Sequence, residues 1–301
     1  MASPSAKPEE SGEFANAARL SPTRWAAFAP SLHQYVVYRP SANTLHSPMP
    51  LHYARRLTSH ERSPRSIRHL GYALAFIAGA ANAGAFLAVR LYTSHMTGIV
   101  SSLADHIALG ELALALAACG AVISFLLGAM TSAIMINYGR RRALRSQFAL
   151  PLLLEALLFL LFGLMGSTLS DLEGLFVPVT VMLLCFTMGL QNAVITKISG
   201  SVVRTTHMTG IITDLGIELG KLIYWNQTST DADARVMADR ARLATLGLLF
   251  VFFLGGGVIG AVCFKQIGYL ATLPLAAILI LLSAVPVFDD LRDRGNKDSG
   301  G

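Results

Sequence analysis

The chain has 301 residues, 53% hydrophobic and 14% charged, with a mean hydropathy of +0.53, whereas soluble globular proteins carry roughly 25% charged residues. That deficit argues against a soluble domain and for an integral membrane protein. A net charge of +6 and a pI of about 9.4 would suggest a nucleic-acid partner in a soluble protein, but here the sharing of charge between loops accounts for both.

Residues 1–68 read as a polar, basic, disordered cytoplasmic tail rich in proline, serine and arginine. No apolar stretch follows a basic start, so the opening is not a secretory signal. Met49 offers an alternative start, which would make residues 1–48 a start-site artefact.

Runs without Asp, Glu, Lys or Arg then follow at 70–89, 112–139, 156–170, 174–196, 243–264 and 266–288. A bilayer core of about 30 Å needs about 20 helical residues. Five runs meet this outright, and the short one extends back through Glu155 to Ser146. The expected fold is all-α, with six transmembrane helices. Residues 69–172 form a first membrane repeat, 173–288 a second, and 289–301 a cytoplasmic tail.

With a cytoplasmic N-terminus, Arg55, Arg56, Arg62, Arg65, Arg68, Arg140, Arg141, Arg142 and Arg145 fall inside. So do Arg204, Lys221, Arg235, Arg240, Arg242, Arg292, Arg294 and Lys297. Outside are only Arg90, Lys265 and the acidic link around Asp171 and Glu173. Every loop then obeys the positive-inside rule, and both termini are cytoplasmic.

The repeats rest on three landmarks in the same order. Asn82-Ala83 followed by Ser94-His95-Met96-Thr97-Gly98 returns as Asn192-Ala193 followed by Thr206-His207-Met208-Thr209-Gly210. Phe125-Leu126-Leu127-Gly128 returns as Phe252-Phe253-Leu254-Gly255, and Leu150-Pro151-Leu152 as Leu273-Pro274-Leu275. Three spans per half make the repeats inverted, an architecture common in secondary transporters.

The segments TGIVSSLADHIALGE and TGIITDLGIELGK are too short and polar to span, so each repeat gains a short re-entrant or interfacial HMTG helix. Thr97 and Thr209 read as N-caps, aiming free N–H groups and the positive dipole end beside His95 and His207. His95, Ser102 and His106 share a face, as do His207, Asp214 and Glu218.

The candidate binding residues are His95, Thr97, Gly98, His207, Thr209, Gly210, Asn82, Gln191, Asn192 and Asp214. Each has a structural alternative. The histidines either handle ligand or proton or fix the turn. Asn82, Gln191 and Asn192 either contact solute or glue helices together. Asp105, Asp214 and Glu218 read as a solvated face, Glu155 as a snorkelling or paired carboxylate. Gly79, Gly256 and Gly260 read as close-packing positions. Cys119, Cys185 and Cys263 lack any disulfide or zinc spacing and read as free buried thiols.

SHMTG at 94–98, THMTG at 206–210 and TDLGIELG at 213–220 resemble the YoaK-like family of bacterial multi-pass membrane proteins of unknown function. The likeness covers about 70–288. It implies a bacterial cell inner membrane protein of about six helices and carries over no substrate. Asn82 stands where many relatives have Asp, which argues against a proton-carrying role there.

No GxSxG, HExxH, Walker loop or GxGxxG with its expected elements occurs, so no catalytic residue, metal or cofactor is expected. The favoured expectation is a transporter or channel passing a small polar or anionic solute or ion between the two HMTG segments. Lipid bilayer is the other expected partner, with no nucleic acid; the oligomeric state is left open. The competing readings are an intramembrane enzyme using the His, Asp and Glu stripes, and a non-transporting scaffold or accessory subunit.

Overall fold

The computed structural model describes residues 64–142, 144, 146–169, 173–199, 205–224 and 236–298. The tail up to Ser63, the alternative start at Met49 and the loop residues Arg145, Asp171, Arg204 and Arg235 lie outside them. Regular structure among the described residues is helical throughout: α1 Pro64–Val89, α2 Met96–Ala108, α3 Leu112–Arg141, α4 Ala149–Leu169, α5 Glu173–Ser199, α6 Met208–Ile223, α7 Arg240–Ile267 and α8 Thr272–Asp298. A 3₁₀ turn, Gly268–Ala271, joins the last two.

Among the described residues, five segments are long and apolar enough to cross a membrane: 67–89, 112–141, 149–166, 177–199 and 240–284. Helices suit such segments because each backbone N–H and C=O is satisfied within the segment, where lipid offers no partner. The last segment runs 45 residues, about twice what one crossing needs. It is broken after Ile267, where Gly268 takes φ 58°, a left-handed conformation costly for any residue with a Cβ. The final helix therefore starts at Thr272 rather than Gln266. Leu150-Pro151-Leu152 and Leu273-Pro274-Leu275 each fall in a helix's first turn, where a missing N–H costs nothing.

The helices pack in pairs, each joining one helix before residue 172 to one after it: α1 on α7, α3 on α5 and α4 on α8. Glycine sets the closest approaches. A methyl group at Gly256 would overlap the Phe76 carbonyl oxygen, and one at Gly79 the Phe253 oxygen. The same reciprocal contact joins Gly128 to the Phe186 oxygen and Gly189 to the Phe125 oxygen. Each of the four helices thus presents a Phe-x-x-Gly step, the close packing that small residues permit in lipid. Gly79, Gly256 and Gly260 are packing glycines as expected. The register differs from the sequence echo, however: Phe253 and Gly256, not Phe252 and Gly255, take the positions that match Phe125 and Gly128. Gly255 meets nothing within 4 Å.

These contacts also set direction. Tyr72 stacks on Phe252, Gly260 meets Ala80 and Gly84 meets Phe264, so α1 and α7 run parallel. Gly120 meets Met182 and Asn137 meets Lys197, so α3 and α5 run parallel as well. Gly163 meets Thr272 and Gly166 meets Tyr269, so α4 and α8 run antiparallel. Gly139, near the end of α3, meets Gln147 just before α4, so the start of α4 lies beside the ends of α3 and α5. The short helices α2 and α6, each packed beside the long helix that follows it, lie at opposite ends of the bundle.

The inner helices α1 and α5 bury 56% of their most apolar windows, while α3 and the last segment bury only 17%. The exposed faces carry Leu116, Leu126, Met130 and Ile134 on α3 and Val251, Leu254 and Val258 on α7. Such continuous apolar surface is far beyond what a soluble monomer shows to water and is what lipid solvates.

Candidate functional site

Each HMTG helix begins where an asparagine of the preceding long helix holds the incoming turn. Asn82 Nδ2 donates to Ser94 Oγ at 2.6 Å, and the Ser94 N–H donates back to Asn82 Oδ1 at 3.3 Å. At the other end Thr206 Oγ1 donates to Asn192 Oδ1 at 2.7 Å, while Asn192 Nδ2 donates to its own helix at Met188 O, 2.8 Å. A polar group in an apolar helix is costly unless paired. Both asparagines meet that demand by clamping the residue just before the histidine.

Thr97 and Thr209 are not the N-caps. The helices start one residue after the histidines, whose own backbones occupy the cap position at φ −89° and −84°. Thr97 and Thr209 thus stand second in their helices, exposed, and Thr209 O accepts from Thr213 Oγ1. Neither histidine side chain makes a capping hydrogen bond. Each ring folds instead against the glycine three residues on: a Cβ at Gly98 would overlap His95 Cδ2, and one at Gly210 would overlap His207 Nδ1. This is why the motif ends in glycine, a role that sequence spacing does not disclose. Both rings remain exposed, with free helix N–H groups beside them. Two residues before each histidine stands a threonine, Thr93 or Thr205, that is almost wholly buried and whose hydroxyl has no partner.

Because α2 and α6 lie at opposite ends of the bundle, His95 and His207 do not meet. Nor do the stripes containing His106 and Glu218. His106 pairs with Glu111 at 2.6 Å, and Asp105 is exposed. No group of three or more His, Cys, Asp or Glu side chains that could hold a metal occurs among the described residues.

Asp214 and Glu218 do not form a simple solvated face. Asp214 accepts from Arg242 Nη2 at 2.9 Å. The buried Glu218 carboxylate accepts from Lys221 Nζ and from the Asp239 N–H, both at 2.9 Å. Asp239 in turn caps α7 by accepting from the N–H groups of Ala241 and Arg242. The Lys221 ammonium and the Asp239 amide hold the Glu218 carboxyl below its ordinary range. Together these groups pin α6 to the start of α7.

Gln191 is fully buried and donates from Nε2 to Leu74 O at 3.1 Å, bridging α5 to α1, while its Oε1 has no partner. Glu155 departs most from expectation. It neither snorkels nor pairs: its exposure is 0% and neither oxygen has a hydrogen-bond partner. The sequence places it near the end of an uncharged run, but α4 starts at Ala149 and carries it nearly two turns inside. Of the three cysteines, Cys185 is buried, and Cys119 and Cys263 are partly so; all are free.

Long apolar helices packed in pairs, an apolar outer surface and buried polar clamps define a membrane-embedded protein that is helical throughout its described regular structure. The family is then set by comparison. Residues 70–285 match the family described as Protein of unknown function (DUF1275), and the chain belongs to that family. No curated protein and no solved structure matches it.

Proposed function

We propose that the protein is a transporter or channel for a small polar or anionic solute, with one HMTG segment guarding each mouth of the path. The observation that carries this reading is the matched pair of asparagine-clamped helix N-termini at the two ends of the bundle. Free N–H groups and the helix dipole at such a terminus favour an anion or polar group. An exposed histidine beside each adds a ring nitrogen that can hydrogen-bond to such a group. His95, Thr97, Gly98 and Asn82 would serve one mouth; His207, Thr209, Gly210, Asn192 and Asp214 the other. Gln191 would line the middle.

In this reading α7 and α8 cross separately, which gives six spans in two inverted repeats, residues 69–172 and 173–288. The matched glycine–phenylalanine contacts and matched clamps support that duplication. The basic loops support cytoplasmic termini in a bacterial inner membrane. The paired SHMTG and THMTG motifs support a YoaK-like membership within the family.

The test is flux. Purified protein in liposomes should pass anions or small polar solutes from a panel, and His95→Ala and His207→Ala should each lower the rate. No flux for any solute would defeat the transport reading, and undiminished flux in both variants would defeat the assignment of the mouths.

A further inference from the structure

We propose that Glu155 is a proton-binding site at membrane depth, exchanging its proton through the end of the bundle where α6 lies. The geometry supplies three reasons. First, the carboxyl is wholly buried and both oxygens lack a partner. An ionised carboxylate in that state is expensive by many kcal/mol, so the group must stay neutral or find a counter-charge.

Second, no counter-charge is at hand among the described residues. Glu155 is the sole titratable residue of α4, and α8 has none between Thr272 and Phe288. On α5, Lys197 is bonded to Asn137, and Cys185 packs with Ile99 and Ala121 in a separate cluster. On α3, Tyr138, Arg140 and Arg141 are exposed at the helix end, and Cys119 lies toward the opposite end. Tyr269, in the 3₁₀ turn, packs on Phe162 and Gly166 at the far end of α4.

Third, the position suits exchange with water from one side. Six residues of rise separate Glu155 from the start of α4, about 9 Å, against about 21 Å to its end. Two more buried oxygens without partners, Ser132 Oγ on α3 and Gln191 Oε1 on α5, lie in the same half of the bundle. Polar atoms otherwise left unsatisfied at this depth are what a proton or a water carrying one can use. The site stands apart from the transport reading; where that reading holds, Glu155 makes the coupling ion a proton.

The experiment uses the full chain in liposomes and no solute, so its outcome is independent of the flux assay. Infrared difference spectra are recorded while pH is raised, in H₂O and D₂O. The expected result is a protonated-carboxyl carbonyl band that shifts in D₂O, disappears as pH rises and is absent in Glu155→Gln. In parallel, dicyclohexylcarbodiimide is added to the wild-type protein. The acid proton passes to a carbodiimide nitrogen, the carboxylate oxygen attacks the central carbon, and acyl migration leaves an N-acylurea with no group lost. Peptide mapping should find this adduct on Glu155, with less of it at alkaline pH.

A band that persists in Glu155→Gln, or one that neither titrates nor shifts in D₂O, overturns the proposal. Absence of the adduct at every pH does so as well. Loss of the band on adding sodium at fixed pH overturns it in favour of a cation site.

Discussion

Thr206 donates its hydroxyl to Asn192 Oδ1 at 2.7 Å, fourteen residues back along the chain, and so fixes the turn that carries His207. Removing the acceptor should loosen that turn without unfolding the bundle. Interhelical hydrogen bonds in membrane proteins are worth about 0.6 kcal/mol on average and up to about 1.7. Asn192→Ala and Thr206→Val should each cost about that much in thermal unfolding in detergent. The double variant should cost little more than either alone, because the two changes remove one interaction; full additivity would show that the bond contributes nothing.

Gly256 and Gly255 are neighbours with opposite environments. Gly256→Ala must push α7 off the Phe76 carbonyl, and overpacking of this kind costs about 1–3 kcal/mol. Gly255→Ala meets open space and gains about 1 kcal/mol of helix propensity by soluble-peptide scales. Melting temperatures should separate the pair clearly, and Gly128→Ala should behave as Gly256→Ala does.

Gly210→Ala should displace the His207 ring, whereas Gly216→Ala, on the same helix with nothing near it, should not. The histidine ring proton shifts in NMR report the difference. An unmoved His207 signal in Gly210→Ala would contradict the folded-back ring.

Glu218 gives a signed pH dependence. Its carboxyl is held below the ordinary range by Lys221 and the Asp239 amide. The stability it adds is therefore complete above the unfolded pKa and is lost as pH falls through the folded one. Protection factors for hydrogen exchange in α6, taken relative to the intrinsic rate at each pH, should fall on acidification in the wild type and change less in Glu218→Gln. An equal fall in both would assign the effect elsewhere.

The long helices are legible in the sequence because uncharged runs are a direct demand of lipid on a backbone. Boundaries and depth are less so. The run containing Glu155 has no marker for where its helix starts, since Ser146, Gln147 and Phe148 are mild residues that suit a turn or a helix equally. The carboxylate thus reads as peripheral when it is interior. Thr97 and Thr209 look like caps because threonine favours that position, yet with the turn clamped to Asn82 or Asn192 the cap falls two residues earlier, at His95 and His207. The ion pair from Asp214 to Arg242 joins two helices across a loop, and nothing local in either helix announces it.

Packing α1 on α7 and α3 on α5 has a consequence for how the molecule is made. Gly79 leaves the ribosome roughly 170 residues ahead of Phe253, about ten seconds or more at ~5–20 residues per second. During that interval the glycine face of α1 has no native neighbour to cover it and must lie against lipid or an insertion factor. The first half of the chain cannot close on itself. Assembly of the interior waits for the last third of synthesis, so a chain cut after α4 would leave two helix grooves open to any passing partner.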